Sequence, residues 1–363
     1  MFIDECRKEL TAHIIPFWAA LEDKENGGFY GFVSHDLALD KAAPKGVILN
    51  SRILWFFSSC YAMLGDAECL RLAGHAFAFL KNHCTDKEYG GVYWMLDCKG
   101  NPLDTMKHTY NVAFAIYALA AYYNACGDRE ALSLAKRLFE DVEARTPDAY
   151  GYREAFTRDW TPTANDALSE NGLTAEKTMN AVLHLIEAYT ELYKAEPDAR
   201  VGERLTFLLR QTRDQIFDGT RNALRVFFDE KFNEIGDIHS FGHDIEATWL
   251  VDLACETLGD PALTAEFRAM NLRISRNILE TAYENGTLNN EREHGIVDKR
   301  KIWWVQAETV VGFLNAYQKS GDGAFLSAAR AVWDYIQTHI IDRRTGRCCS
   351  DSIVFPYLTL AIR

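Results

Sequence analysis

Five helix-breaking positions at a nearly constant spacing restrict the fold of this chain more than any other feature. They lie at Gly65-Asp66, Gly127-Asp128, Pro197-Asp198, Gly259-Asp260 and Gly321-Asp322. Successive aspartates are therefore 62, 70, 62 and 62 residues apart, and a helical pattern lies on both sides of every break. A period of this length predicts an internal repeat of helical hairpins.

The two helices of each hairpin differ in pattern. The helix before a break is apolar on nearly all sides, as in residues 112–119, which predicts an inner helix. The helix after a break is amphipathic, as in residues 131–142, which predicts an outer helix. Connectors rich in glycine and aromatic residues, such as residues 89–94, are expected to form short hairpins at one rim.

Repeated inner and outer helices that close on themselves predict an all-α fold, an (α/α)6 barrel made of a toroid of helical hairpins. The uninterrupted period offers no linker, so residues 1–346 are expected to form one domain. Eleven helices are recognisable, and the twelfth helix, which would complete six hairpins, is expected to be missing. Residues 347–363 lack both the connector pattern and a polar inner-helix face, and they are interpreted as a divergent tail.

Composition narrows the function. A net charge of −13 and a pI near 5.3 disfavour nucleic acid and anionic membrane as partners, because both favour clustered lysine and arginine. Nine cysteines without a C-x-x-C pair are typical of reduced thiols in a cytoplasmic protein. The first ten residues carry no signal pattern, and no apolar run reaches membrane-spanning length. We therefore expect a cytoplasmic protein that acts on a small neutral ligand.

The stretch from Asp237 to Leu250 carries the most informative polar residues. His243, Glu246 and Trp249 recur at intervals of three, so on a helix they share one face. An imidazole, a carboxylate and an indole on an otherwise apolar helix predict a wet cavity, because a buried unpaired charge is costly. The alternative is a hydrogen-bonded core histidine beside a capping glutamate.

The repeat places further polar residues in the same register. The residues 14 positions before the hinge aspartates are Arg52, Phe114, His184, Glu246 and Glu308. The residues 17 or 18 positions before four of them are Asn111, Asn180, His243 and Trp304, and His108 is placed one helical turn before Asn111. Equivalent positions on a ring of inner helices converge on its axis, so these residues are expected to line one pocket. Taken alone, His184 fits a satisfied core histidine equally well.

The residue types favour acid–base chemistry on a sugar. The sequence has no phosphate-binding glycine loop, no H-E-x-x-H and no G-x-S-x-G motif. His239 and His243 are spaced like a metal pair, but residues 240–242 interrupt the helix that would align them, so no metal or other cofactor is expected. Histidine, glutamate and indole side chains suit proton abstraction beside a carbonyl, with Arg52 holding the oxygen of an enediolate.

Five stretches together resemble the N-acylglucosamine 2-epimerase family of α/α barrels. They are residues 46–55, 105–111, 177–180, 242–249 and 303–308. The resemblance extends over residues 1–346 and implies an isomerase that needs neither cofactor nor metal. The implied reaction is epimerisation at C2 of the reducing-end glucose of a disaccharide, cellobiose and also lactose, to the mannose epimer.

The resemblance also implies roles for single residues. His243 carries an acid/base role, and Glu246 and Glu308 are orienting carboxylates. Arg52 binds the oxygen at C1 or C2, while His184, with Asn180, assists ring opening and hydroxyl binding. From the register and the resemblance together, the expected substrate-binding residues are His108, Asn111, Asn180, Trp249 and Trp304.

The chain departs from the family after Gly346. The family continues through a Trp-Lys-x-Pro-Tyr-His stretch that supplies a second catalytic histidine, whereas the last histidine here is His339 on an outer helix. A frameshift near Gly346 is one hypothesis, and little or no epimerase activity is expected of this polypeptide. Three alternatives stay open: a 2-epimerase or isomerase of monosaccharides or N-acylhexosamines, an inverting glycoside hydrolase with Glu246 and Glu308 as acid and base, and an inactive sugar-binding remnant.

Overall fold

The computed structural model describes residues 2–165 and 173–342 and the backbone of residues 347–348. Apart from that short backbone segment, the predicted divergent tail and the missing twelfth helix lie outside the described residues.

Eleven helices form the hairpins in the described part of the chain, as the repeat predicts. In chain order they are α1 (Phe2–Glu9, the π-helical turn Leu10–Ile14 and Ile15–Ala19), α2 (Val47–Leu64), α3 (Ala67–Phe79 and the π-helical turn Leu80–Cys84), α4 (Thr109–Cys126), α5 (Arg129–Arg145), α6 (Met179–Ala195), α7 (Ala199–Gln211 and the π-helical turn Thr212–Ile216), α8 (Phe241–Leu258), α9 (Pro261–Thr281), α10 (Trp303–Ser320) and α11 (Gly323–Tyr335 and the π-helical turn Ile336–Ile340). The predicted inner helices are α2, α4, α6, α8 and α10, and most of their residues are buried.

Short antiparallel strands lie between the helices, where the sequence predicts hairpins. They are β1 (Phe32–Val33), β2 (Leu39–Asp40), β3 (Lys45–Gly46), β4 (Met95–Leu96), β5 (Pro102–Asp104), β6 (Lys107–His108), β7 (Ala155–Phe156), β8 (Lys177–Thr178), β9 (Phe217–Asp218), β10 (Ala223–Leu224), β11 (Phe227–Phe228), β12 (Glu234–Ile235), β13 (His239–Ser240), β14 (Tyr283–Glu284), β15 (Thr287–Leu288), β16 (Glu291–Glu293), β17 (Ile296–Asp298), β18 (Ile341–Asp342) and β19 (Arg347–Cys348). The three-stranded sheets have the orders β3-β4-β5, β12-β11-β8 and β13-β16-β17, and the other strands pair in twos.

Two local caps build four of the five predicted hinges. The glycines at 65, 127, 259 and 321 end their inner helices with left-handed φ angles between 69° and 77°. The aspartate that follows each glycine accepts the backbone N–H two residues further on and starts the outer helix. At the break without glycine, α6 ends at Ala195, and Asp198 accepts the N–H of Arg200 at 2.9 Å. The hinge prediction is therefore confirmed.

The residue contacts divide the chain into two compact units. Unit 1 contains the described parts of Met1–Phe17, Thr206–Val226 and Gly236–Arg363. Unit 2 contains the described parts of Trp18–Leu205 and Phe227–Ile235. The single domain expected for residues 1–346 stays a prediction.

In unit 2, the inner helix α4 packs against both α2 and α6, and the outer helices α3 and α5 pack on α2 and α4. Helix α2 is long and apolar enough to span a membrane by length and composition, contrary to the expectation that no segment reaches that length. However, 61% of this helix is buried inside the protein, as is typical of a core helix.

In unit 1, the inner helices α8 and α10 pack against each other, and α9 and α11 cover them. The outer helices bury one face only, as their amphipathic patterns predict. In α9, for example, the buried side chains include Leu263, Phe267, Ile274 and Ile278.

Two inner helices begin later than the pattern predicts. Helix α4 begins at Thr109 and α6 at Met179, whereas the repeat predicts starts near residues 106 and 175. The intervening backbone is extended because β6 pairs with β7 and β8 pairs with β11. His108 therefore lies on a strand, and its predicted place one helical turn before Asn111 is wrong.

The second residue before each inner helix recurs with the same spacing as the hinges. We call it the entrance position, and it is occupied by Lys45, Lys107, Lys177, His239 and Lys301. In unit 2, the entrance lysines have no exposed side-chain surface and form ion pairs with rim-loop aspartates. These pairs are Lys45–Asp23 at 2.6 Å, Lys107–Asp86 at 3.0 Å and Lys177–Asp148 at 2.7 Å. They tie each rim loop to the start of an inner helix.

Candidate active site

Three residues of the predicted register meet in unit 2. The guanidinium of Arg52 on α2 lies over the Phe114 ring of α4, 4.3 Å from its centroid. The Phe114 ring lies 4.6 Å from the imidazole of His184 on α6, measured between centroids. Counting back from the hinges therefore places equivalent side chains of three neighbouring inner helices side by side. Arg52 is half-buried and His184 is buried.

A carboxylate and an aromatic ring hold the imidazole of His184. Its Nδ1 lies 2.8 Å from Oε2 of Glu187, one helical turn further along α6. The ring also packs edge-on against Tyr110, with 5.1 Å between centroids. Burial lowers the pKa of His184, while Glu187 opposes that shift. This cluster presents a buried imidazole near a fixed cation.

His108 is a fully buried histidine on β6. Its ring packs against Trp94, with 4.3 Å between centroids, and neither ring nitrogen has a hydrogen-bond partner among the described residues. Burial lowers the pKa of His108 to about 4. The ring is therefore neutral at physiological pH, with one nitrogen as a hydrogen-bond donor and the other as an acceptor.

The two predicted asparagines have different surroundings. Asn111 is fully buried, and its Nδ2 donates to the backbone carbonyl of Tyr93 at 2.8 Å. This bond fixes the rim loop to α4 and leaves the amide oxygen without a described partner. Asn180 is half-buried in the first turn of α6. Of the two, Asn180 is placed better to meet a ligand.

The start of α6 is held by a buried carboxyl that the sequence did not single out. Thr178 caps the helix by accepting the N–H of Ala181 at 3.0 Å, and its hydroxyl donates to Glu154 at 2.9 Å. Burial raises the pKa of Glu154 to about 7, and Thr178 opposes that shift.

In unit 1, the first turn of α8 presents His243. Its Nδ1 lies 2.7 Å from the hydroxyl oxygen of Ser240. Its ring packs against Trp304 of α10, with 4.8 Å between centroids and 55° between the planes. Both His243 and Trp304 are half-buried. A half-buried imidazole beside a half-buried indole can exchange a proton with a ligand and offer it an apolar ring face.

Nearly two turns further along α8, the predicted indole and carboxylate are joined. Nε1 of Trp249 donates to Oε2 of Glu308 on α10 at 2.8 Å. Both side chains are buried, and Glu246 is also buried on α8. Glu308 therefore fixes the Trp249 ring. The hydroxyl of Ser240 contacts the imidazole of His243, and the roles of Glu246 and Glu308 as orienting carboxylates stay predictions.

His239 and His243 are not an aligned metal pair. His239 lies on β13, before α8 begins, and its Nε2 is 2.6 Å from Oδ2 of Asp244. Oδ1 of Asp244 accepts the N–H of Leu224 at 3.0 Å. Asp244 thus connects the start of α8 to two rim strands.

One surface group in unit 1 has the donor types of a metal site. Asp237, Glu293 and His294 have ligand atoms within 4.8 Å of one another. His294 is 77% exposed and already pairs with Asp237 at 3.0 Å. An exposed histidine–aspartate pair accounts for this geometry, and nothing further follows from it.

Sequence reasoning missed the immediate partners of His184, His243 and His108. Glu187 follows His184 at a spacing of three, which is a helical-pair signal available in the sequence. Ser240 precedes His243 by three, but a serine before a helix is ordinarily interpreted as a cap. Trp94 had no such signal, because its contact with His108 depends on strand pairing.

Comparison with known proteins agrees with this fold. The N-acylglucosamine 2-epimerase (GlcNAc 2-epimerase) family profile matches residues 27–349. A cellobiose 2-epimerase of Ruminococcus albus is 62% identical over 346 residues, covering 95% of this chain and 89% of the relative. A cellobiose 2-epimerase of Dictyoglomus turgidum is 45% identical over 340 residues, covering 94% and 87%. The crystal structure of a sugar epimerase from a ruminal bacterium has a TM-score of 0.97 and 58% identity, covering 100% of this chain and 97% of that chain.

These matches establish the class of the protein. The fold is an (α/α)6 barrel, as expected, and the enzyme is a carbohydrate isomerase of the epimerase type. In particular, the chain belongs to the N-acylglucosamine 2-epimerase family.

Proposed function

We propose that this chain epimerises cellobiose at C2 of the reducing-end glucose, giving the mannose epimer, and that it also accepts lactose. The observation that carries the proposal is the 62% identity with a cellobiose 2-epimerase over 346 residues. The histidine chemistry of both units supports it, because imidazoles near neutral pH exchange protons with carbon acids beside a carbonyl.

The proposed reaction needs neither metal nor cofactor. After the sugar ring opens, His243 exchanges the proton at C2 and an enediolate forms. Arg52 holds the oxygen at C1 or C2, where negative charge develops. Rotation about the C2–C3 bond then presents the other face to the returning proton. His184 assists ring opening, and Glu246 and Glu308 orient the acid–base machinery.

We further propose that the remaining predicted residues bind the sugar hydroxyls and ring faces. They are His108, Asn111, Asn180, Trp249 and Trp304. Neutral His108 and half-buried Asn180 offer both donors and acceptors to hydroxyl groups. The half-buried Trp304 offers an apolar ring face, while Trp249 is held rigid by Glu308. The proposed location is the cytoplasm.

Incubation with cellobiose in deuterated water tests this proposal. Proton NMR is expected to show loss of the C2 proton signal of the reducing-end glucose and growth of mannosyl signals. Exchange at C2 and inversion at C2 are distinct events, because a proton can return to the face from which it left. Exchange and inversion are therefore measured separately.

Two variants calibrate the experiment. His243→Gln is expected to abolish C2 exchange, because an amide cannot take up the proton at this pH. His294→Gln changes a histidine of the same unit that is 77% exposed and is expected to leave exchange unchanged.

Other outcomes identify the alternatives. Release of glucose from cellobiose would indicate a glycoside hydrolase. Faster conversion of free mannose or N-acetylmannosamine would indicate a monosaccharide or N-acylhexosamine enzyme. Calorimetric binding without exchange, conversion or glucose release would indicate a sugar-binding remnant and would overturn the proposed epimerisation.

A further inference from the structure

The hydroxyl of Ser240 does not perform the usual task of a serine at its position. Ser240 is the N-cap residue of α8, with extended backbone angles, yet its side chain caps no backbone N–H. In contrast, Thr178 caps α6, and Asp128 and Asp260 each cap their helices with two hydrogen bonds. Ser240 therefore lacks the capping bond that Thr178 makes at the equivalent position of α6. The other inner helices begin after Gly46, His108 and Ile302, which also provide no side-chain cap.

The hydroxyl contacts a side chain instead. Its Oγ lies 2.7 Å from Nδ1 of His243, the third residue of the helix. This is the residue whose backbone N–H a capping serine would normally bind. The Ser240 hydroxyl thus orients the imidazole of His243 rather than stabilising the start of α8.

Several bonds fix the backbone that carries Ser240. Ser240 pairs with Glu291 in the β13–β16 ladder, and the next residue, Phe241, donates its N–H to Asn290 at 3.3 Å. On the other side, His239 is held by Asp244 at 2.6 Å. Ser240 is itself buried, with 7% of its surface exposed. The hydroxyl is therefore presented to His243 from a fixed strand.

We propose that Ser240 is a positioning residue that accepts a hydrogen bond from Nδ1–H of His243 and so keeps Nε2 as the proton-exchanging nitrogen. This inference rests on the proposed role of His243. Because Nδ1 is engaged by Ser240, the proton exchanged with the sugar is held at Nε2. The same hydrogen bond persists in the imidazolium form, since Nδ1 keeps its proton in both states.

A neutral partner suits a base that must also return its proton. A carboxylate at this place would favour the charged imidazole and raise its pKa, as a nearby opposite charge does. At Nδ1, the imidazole of His184 meets the carboxylate of Glu187, whereas that of His243 meets the hydroxyl of Ser240. The hydroxyl fixes the ring without retaining the proton.

Three substitutions at Ser240 test this inference. Ser240→Ala is expected to lower kcat for C2 exchange of cellobiose about tenfold, with KM changed less than about twofold, the effect of losing one hydrogen bond that orients the base. Ser240→Thr keeps the hydroxyl and is expected to restore most of the rate. Ser240→Asp is expected to move the acidic limb of the pH–rate profile up by about one unit.

Ser275→Ala is the matched control. Ser275 is a buried serine of α9 in the same unit, and its hydroxyl donates to the carbonyl of Asn271 at 2.9 Å. This variant also loses one neutral hydrogen bond, but it is expected to exchange C2 at the wild-type rate. A rate loss in Ser275→Ala equal to that in Ser240→Ala would contradict a specific role for Ser240.

A second measurement separates failure of this inference from failure of the proposed function. Nitrogen chemical shifts of the His243 ring, assigned by comparison with His243→Gln, report its tautomer without any substrate. The Nδ1–H form is expected in the wild type, and a mixture with the Nε2–H form in Ser240→Ala. Identical shifts in the two proteins would overturn the role of Ser240, even if C2 exchange occurs. A wild type that performs no exchange contradicts the proposed function alone.

Discussion

The entrance position is built differently in the two units. In unit 2, all three entrance residues are lysines with fully buried side chains and aspartate partners. In unit 1, the same position holds His239 next to Asp244 and a half-buried Lys301, whose Nζ donates to Oδ1 of Asn289 at 2.6 Å. The repeat thus conserves a task, which is tying a rim strand to an inner helix, while the chemistry changes.

This difference indicates that the stability of unit 2 depends on the charges of its buried lysine–aspartate pairs. A buried lysine and a buried aspartate are each costly to dehydrate, and each is tolerated because the other is present. Burial alone would raise the pKa of Asp23, but hydrogen bonds from Lys45 and Asn26 hold it below its usual value. In unit 1, Lys301 is half-buried and pairs with a neutral amide, and the partner of Asp244 is a histidine rather than a lysine. Removing one partner there is therefore expected to lower the free energy of unfolding by less.

The largest effect is expected at Lys45. Lys45→Met leaves Asp23 buried without its counter-charge and should lower the free energy of unfolding by about 3–5 kcal/mol. Urea denaturation followed by circular dichroism measures this loss. The double variant Lys45→Met with Asp23→Asn removes both charges and should recover most of the stability. A single variant that is as stable as the double variant would show that the charge pair is unimportant.

Glu154 is a buried carboxyl of unit 2 that accepts a hydrogen bond from Thr178. Comparing it with Asp23, which has a lysine partner, shows what the lysine contributes to stability. The folded pKa of Glu154 is raised to about 7, above that of the unfolded chain, so folding binds a proton between these two values. Stability from this group is present at acidic pH and is lost as the pH rises through the folded pKa. Glu154→Gln should therefore stabilise the protein by about 3 kcal/mol at pH 8 relative to pH 4.

Thermal denaturation of the wild type and Glu154→Gln across this pH range measures the difference. Lys45→Met serves as a reference whose stability loss should show no such rise toward alkaline pH. Parallel pH curves for the wild type and Glu154→Gln would mean that Glu154 does not hold a proton in the folded state.

In unit 1, His239→Phe should have an intermediate effect. The substitution keeps the aromatic ring beside Phe241 but removes the donor to the buried carboxylate of Asp244. The free energy of unfolding is expected to fall by about 1–3 kcal/mol. The carboxylate of Asp244 would lose its bond with His239 and keep the one from the backbone N–H of Leu224. Chemical denaturation gives the value, and a cost equal to that of Lys45→Met would erase the difference between the units.

The smallest effect is expected at Lys301. Lys301→Met removes a hydrogen bond between a half-buried lysine and the neutral amide of Asn289, so the loss should stay below about 1 kcal/mol. Measured beside Lys45→Met in the same denaturation series, it compares one repeat position in both units. A loss of several kcal/mol would mean that unit 1 also depends on a buried cation.

Local signals made the helices and hinges predictable. Gly65 and Asp66 carry their capping roles in two adjacent residues, and the same pair recurs at three other hinges. The starts of α4 and α6 were misplaced because they depend on β7 and β11. Those strands lie far along the sequence from the residues that they pair with.

The site was predictable by residue type but not by partner. The register brought Arg52, Phe114 and His184 together because equivalent positions on neighbouring inner helices face the same way. It gave no indication that Glu308 binds Trp249 or that Ser240 forgoes its cap for His243. Such choices depend on side-chain reach across elements, which a period in the sequence does not record.

The entrance pairs also bear on how the chain acquires its fold. In unit 2, the paired aspartate and lysine are separated by only 21, 22 or 29 residues. The entropy lost in closing a loop grows slowly with its length, so such short loops close at little entropic cost, and domains rich in local contacts fold quickly. Each rim loop can therefore dock on its own helix before distant hairpins meet.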